Sequence, residues 1–186
     1  MRGPSYHSDV KLIGLAALAG YIAVIVLANW AVNRYGVVSV GFGLTAPAAV
    51  YFVGLAFTLR DILHRTLGRY VVVGAIVVGA LVSYWVDSNA KIPGGVLSIA
   101  AASGIAFLVS EASDLAVYEP IRRHGWAPAV VASNIVGLFV DSLLFLYLAF
   151  GSLSFLWGQV VGKATMTAVA VALLAVANSR RTLIPA

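Results

Sequence analysis

Four ionisable side chains stand inside long apolar runs of this 186-residue chain: Glu111, Asp114, Asp141 and Lys163. A charge at the centre of a bilayer costs at least about 2.5–3.5 kcal/mol on insertion scales, so such residues face a protein interior and serve something there. Helical spacing groups them. Glu111 and Asp114 are i,i+3 neighbours, with Tyr118 a turn further along the same face. Asn134 and Asp141 also share one face, about 10 Å apart along a helix axis. Gln159 and Lys163 are i,i+4 neighbours. Three consecutive helices thus each offer a polar stripe, and the simplest packing points all three at one cavity.

The chemistry of such a cavity follows from its groups. Three carboxylates against one ammonium leave a formal charge of −2. Lys163 is expected to pair with Asp141 on the neighbouring helix. The remaining carboxylates must be protonated, or must meet a cation or a ligand with clustered N–H donors. An anionic solute is disfavoured. Each group also has a structural alternative. Glu111 with Asp114 could lock helices, Asp141 with Lys163 could be a structural ion pair, and Asn134 and Gln159 could be interhelical hydrogen-bond glue. Arg60 and Asp61 read as a gate or boundary anchor at the end of the second apolar run.

The elements that position these residues are membrane helices. Hydrophobic residues make up 61% of the chain and charged residues 10%, where a soluble domain carries roughly 25% charged. The apolar blocks approach the length of about 20 residues that a transmembrane helix needs. The fold class expected is an all-α integral membrane protein of six transmembrane helices in one domain, 1–186. The spans fall at about 12–32, 46–60, 70–87, 95–118, 127–150 and 154–177. The run Leu12 to Val32 exceeds a signal-peptide core and reads as the first span. Thr45 is the expected N-cap of the second, with Pro47 in its first turn. The preceding stretch 37–44 alternates and holds two glycines, so it reads as extended or re-entrant. Backbone of that kind at membrane depth lines a cavity or is covered by protein, which makes Gly41, Phe42 and Gly43 site candidates; an ordinary glycine turn is the alternative. Small residues such as Ala19 and Ala23, Gly74 and Gly79, and Ala100 and Gly104 allow close helix packing.

Arginine and lysine set the orientation. Arg2, Lys11, Arg60, Arg65, Arg69, Arg122, Arg123, Arg180 and Arg181 fall on one side of the spans, and Arg34 and Lys91 on the other. The positive-inside rule then places both termini in the cytoplasm. The net charge of +5 therefore reflects topology and implies no nucleic-acid partner. There is no cysteine, so thiol chemistry is absent. His7, His64 and His124 lack metal-ligand spacing, and no HExxH, Gly-x-Ser-x-Gly or phosphate-binding glycine loop is present. Neither an enzyme nor a cofactor or metal site is expected.

Four ordered motifs carry a family resemblance. They are Phe57-Thr58-Leu59-Arg60-Asp61 continuing to Thr66-Leu67-Gly68-Arg69; Ser110-Glu111-Ala112-Ser113-Asp114 continuing to Tyr118; Ser133-Asn134-Ile135-Val136-Gly137 running to Asp141-Ser142; and Gly158-Gln159-Val160-Val161-Gly162-Lys163. Together, from about Ala28 to Thr167, they resemble the VUT/YhhQ family of vitamin and queuosine-precursor transporters. The resemblance implies a six-helix fold similar to the substrate-binding components of energy-coupling-factor transporters, in a bacterial inner membrane. It implies import of 7-cyano-7-deazaguanine or 7-aminomethyl-7-deazaguanine, which feed queuosine in tRNA. The donor edge of such a base suits Glu111 or Asp114, and Asn134 or Gln159 could read its carbonyl and ring nitrogens. Phe42, Tyr118 or Trp157 could stack on its plane, or could be interfacial belt residues instead. The alternative is the membrane-embedded binding subunit of an energy-coupling-factor vitamin transporter. Expected partners are the purine-like solute and membrane lipid; a homo-oligomer and an energy-coupling-factor module stay open.

Overall fold

A computed structural model describes residues 4–86 and 95–179; the expected topological signals Arg2, Lys91, Arg180 and Arg181 lie outside them. The described residues form six α-helices and one short hairpin: α1 Pro4–Tyr35, β1 Val37–Gly41, β2 Leu44–Pro47, α2 Val50–Leu67, α3 Arg69–Val86, α4 Ile99–Ile121, α5 Trp126–Phe150 and α6 Leu156–Ser179. A single turn of 3₁₀ helix, Arg122–His124, joins α4 to α5. Among the described residues four segments are long and apolar enough to cross a membrane: Lys11–Tyr35, Arg69–Val86, Ile99–His124 and Val131–Phe150.

The fold is all-α apart from one short hairpin. The alternating stretch is extended, as its glycines and β-branched residues suggest, but it pairs antiparallel with Leu44–Pro47. Thr45 and Pro47 therefore belong to β2, and the expected helix cap at Thr45 is corrected: α2 begins at Val50, after Ala49. Gly41 (φ 89), Phe42 (φ 53) and Gly43 (φ 72) form the turn. A positive φ suits glycine and strains phenylalanine.

The second correction concerns where α2 ends. Hydropathy alone stops it at Arg60, yet the helix continues to Leu67. Gly68, at φ 88, terminates it, and its N–H bonds the carbonyls of Leu63 and His64. Arg60 and Asp61 consequently sit two turns inside the helix rather than at its boundary. The helix carries Arg60, Asp61 and Arg65, which is why it reads as less apolar than its neighbours.

The helices alternate in direction around the core. At one end lie the C-terminal turns of α2 and α4 and the starts of α3 and α5, with Arg65, Arg69 and Arg122. At the other lie the hairpin and the start of α6. The N–H groups of Val96 and Leu97 bond the carbonyl of Leu148 there, tying the approach to α4 against the end of α5. Ser98 caps α4 by accepting from the Ala101 N–H at 3.4 Å.

α5 packs chiefly on α4, and α6 on α2. The α2–α6 crossing is close because it is made through glycine. A Cβ on Gly54 would lie 2.5 Å from the Met166 backbone, and where α6 meets β2 one on Gly158 would fall 1.9 Å from the Thr45 carbonyl oxygen. Gly79 lies against Ile25 and Gly104 against Ala80, so small residues also seat α3 on α1 and α4. Tyr21, Ile25, Leu63, Val72 and Ile76 anchor the apolar core of α1, α2 and α3.

Candidate functional site

Two packed helix pairs, α2–α6 and α4–α5, face each other across a seam, and a cavity occupies its basic end. The wider compartment, about 350 Å³, is lined from α2 by Arg60, Asp61 and His64, from α4 by Glu111, Asp114 and Tyr118, and from α5 by Ser133 and Asn134. Arg65, Arg69 and Arg122 rim its mouth. A narrower compartment of about 140 Å³ continues inward between Phe57, Gly137, Leu138, Ala164 and Thr167. Arg60, Asp61, Asp114 and Asn134 border both, so they mark the passage between the two. The wider volume falls in the range of about 300–1,000 Å³ usual for small-molecule sites.

Arg60 organises the floor. Its Nε and Nη2 donate to Asp61 Oδ1 at 3.1 and 2.9 Å. Its Nη1 lies 3.1 Å from Glu111 Oε2 across the seam. That second contact is an ion pair without hydrogen-bond alignment, so the Glu111 oxygen keeps an unfilled acceptor site. The guanidinium also lies over the Phe57 ring, 5.4 Å from its centroid, and Phe57 meets Phe107 edge-on. Asp114 Oδ1 is buried with no hydrogen-bond partner, as is Thr167 Oγ1. Buried acceptors left unpaired are uncommon in proteins and each demands a reason. Gly137 leaves the space beside Asp114 open: a Cβ there would stand 3.6 Å from Oδ1.

The stripe residues expected to share one cavity divide into two groups. Glu111, Asp114, Tyr118 and Asn134 line it together. Asp141, Lys163 and Gln159 do not. Lys163 Nζ donates to Asp141 Oδ2 and, at 3.0 Å, to Ser142 Oγ, and the ammonium is 1% exposed. Ser142 donates in turn to the Leu138 carbonyl at 2.8 Å. The pairing of Lys163 with Asp141 is the one its stripe predicts; what differs is its depth. Gln159, one turn beyond, is equally buried, and its Oε1 has no partner. Phe42 is at the hairpin tip, 93% exposed and away from both compartments. Trp157 is likewise exposed.

Arg60 changes the expected charge. With two cations and three carboxylates in the interior, the formal balance is −1 rather than −2, and half-exposed Asp61 restores the second negative charge. The cavity residues that sequence reasoning placed elsewhere or passed over are Arg60, Thr167 and the arginine rim. Gly68 was the available signal for Arg60, since a helix ending there puts Arg60 inside. Among the described residues no group of three His, Asp or Glu side chains is placed to hold a metal ion. The site can therefore hold a donor-rich or cationic molecule between Asp114, Glu111 and Asn134, with Tyr118 at its side.

A family model described as "Putative vitamin uptake transporter" matches residues 83–178, just over half of the chain, from the end of α3 through most of α6. No curated protein and no solved structure matches.

Proposed function

The chain belongs to the vitamin uptake transporter family, and we propose that this multi-pass membrane protein imports a 7-deazaguanine, 7-cyano-7-deazaguanine or 7-aminomethyl-7-deazaguanine, across a bacterial inner membrane. On this reading all six helices span the bilayer, and the basic end faces the cytoplasm, as the positive-inside rule favours. The observation that carries the proposal is the buried, unpartnered Asp114 Oδ1 in a cavity that Glu111 and Asn134 share. A guanine-like edge presents a ring N–H beside an exocyclic amine, two donors that a carboxylate accepts together. The aminomethyl arm adds a cation that Asp61 and Asp114 attract. No ATP-binding motif is present, so uptake proceeds by facilitated diffusion with metabolic trapping or by an ion gradient.

A queuosine-auxotrophic strain without its own importer tests this. Expression of the protein should restore queuosine in tRNA at low precursor concentration, and Asp114→Asn should not. A folded, membrane-inserted protein that gives no rescue refutes the proposal. Purified protein should also gain thermal stability from 7-deazaguanines more than from adenine, because only the former carry the donor pair. The alternative reading is the binding subunit of an energy-coupling-factor system. It draws support from Ala19 and Ala23, which are exposed on α1 and leave a shallow face for another subunit. Uptake that strictly requires added ATPase and scaffold subunits would favour it.

A further inference from the structure

Both interior ion pairs cross the same seam, at different depths and with one polarity. Arg60 on α2 meets Glu111 on α4, and Lys163 on α6 meets Asp141 on α5. The cations stand on the α2–α6 side and the carboxylates on the α4–α5 side. The first pair borders the cavity. The second lies just past its floor, because Leu138 and Ala164 line the deep compartment, Leu138 accepts from Ser142, and Ala164 follows Lys163 in sequence. Neither Asp141 nor Lys163 lines a compartment.

Beyond this pair the seam is closed but still polar. Gln159 is buried with its Oε1 unpartnered. The start of α6 packs through Gly158 onto Thr45, and Gly162, beside Lys163, packs onto Val50 and Val40, so the hairpin covers this end. A seam meant only to hold the bundle together gains little from such groups, since well-packed apolar residues serve as well as a buried ion pair. A buried amide oxygen without a partner is costly, and an arrangement of the chain in which water reaches it is favoured by that same amount. The run of polar groups from Asp114 through Thr167, Ser142 and Lys163 to Gln159 traces a path whose outer half is shut.

We propose that Asp141, Lys163 and Ser142 form the latch of an outer gate: α2–α6 and α4–α5 part at this end to admit solute, and meet there while the basic end is open. The proposal rests on the reading of the protein as an uptake transporter. Lys163 and Asp141 act as positioning residues for the two helix pairs and need not touch the solute.

The chain contains no cysteine, so a single Gln159→Cys substitution reports directly on the outer side of the latch. In right-side-out membrane vesicles a membrane-impermeant maleimide should label this variant slowly. Lys163→Met or Asp141→Asn in the same background should raise the rate about tenfold, by shifting the population toward the outward-open form. The exchange Asp141→Lys with Lys163→Asp should return it towards the slow value, which a loss of packing alone would not do. Ser142→Ala keeps the ion pair and should give a smaller rise, about two- to threefold. It serves as the test if the charge variants do not accumulate as folded protein. Equal labelling of all folded variants, or rapid labelling with the pair intact, overturns the latch. The assay needs no solute, so its outcome is separate from the identity of the base. A failed queuosine rescue with latch-dependent labelling would remove the substrate and keep the gate.

Discussion

Arg60–Glu111 and Lys163–Asp141 are two versions of one arrangement, a cation on the α2–α6 side facing a carboxylate on the α4–α5 side, and they differ in what surrounds them. Around Lys163 two of the three ammonium donors are engaged, by Asp141 and Ser142, and neither compartment is lined by the pair. Around Arg60 the cavity is open, the contact to Glu111 is misaligned, and the Asp114 oxygen nearby has no partner. The same charges thus give a paired, closed junction at one depth and a partly unpaired, open one at the other. On the proposed reading ligand binding belongs to the open junction, because a molecule can contribute there what the protein withholds. The closed junction borders no compartment, and on the same reading it acts by coming apart.

Substitutions sharpen or break this contrast. Asp141→Ala should have the largest effect on stability, about 3–5 kcal/mol, since it strands a fully buried ammonium. Thermal unfolding in detergent would show it as a large fall in the transition temperature; a shift near zero would mean that Lys163 finds water or another acceptor. Asp114→Asn should do the reverse. It removes no protein hydrogen bond at Oδ1 and only an attraction to Arg60, so the loss of stability should stay well below that of Asp141→Ala. Affinity for the base should fall roughly ten- to hundredfold with the loss of a charge-assisted bond worth about 1.5–3 kcal/mol. Equilibrium binding on purified protein separates the two effects, and a stability loss as large as that of Asp141→Ala would erase the distinction between the junctions.

Gly137→Leu should come next. Its side chain would enter the deep compartment beside Asp114 and block uptake, while the helix itself gains about 1 kcal/mol in propensity. Transport unaffected by this variant would show that solute does not pass through the inner compartment. The smallest effect belongs to the mouth. Arg122 and Glu119 form an exposed pair at 3.5 Å, so Arg122→Gln should change stability by no more than about 0.5 kcal/mol. Its trace should appear in the salt dependence of uptake, which would flatten slightly.

Much of the bundle was legible because apolar runs bounded by charges define helices well. The helix Arg69–Val86 and the expected 70–87 nearly coincide, as do Trp126–Phe150 and 127–150. α2 was harder to read. Hydropathy responds to Arg60 and Asp61, whereas the backbone responds to Gly68, so the helix runs a further two turns. The partnership of Lys163 with Asp141 could be foreseen from charge alone. Its separation from Asn134 could not, although Asn134 and Asp141 share a face. A helical stripe specifies direction and leaves depth open, and a separation of about 10 Å is enough to put two residues in different environments. The hairpin was legible as extended backbone, but nothing local to Gly41, Phe42 and Gly43 says that the turn points away from the cavity.

The placing of cations and anions on different helix pairs also bears on how the chain is made. α2 emerges from the ribosome carrying Arg60, and its partner Glu111 follows only after α3 has been synthesised. Asp141 likewise precedes Lys163. During insertion on the six-span reading each early helix holds a charge that is costly in lipid until it is paired. On the six-span reading Arg60 can pair with Asp61 of its own helix from the start, whereas Asp141 has to wait for Lys163 on α6, so the Lys163–Asp141 junction is expected to be the last to close.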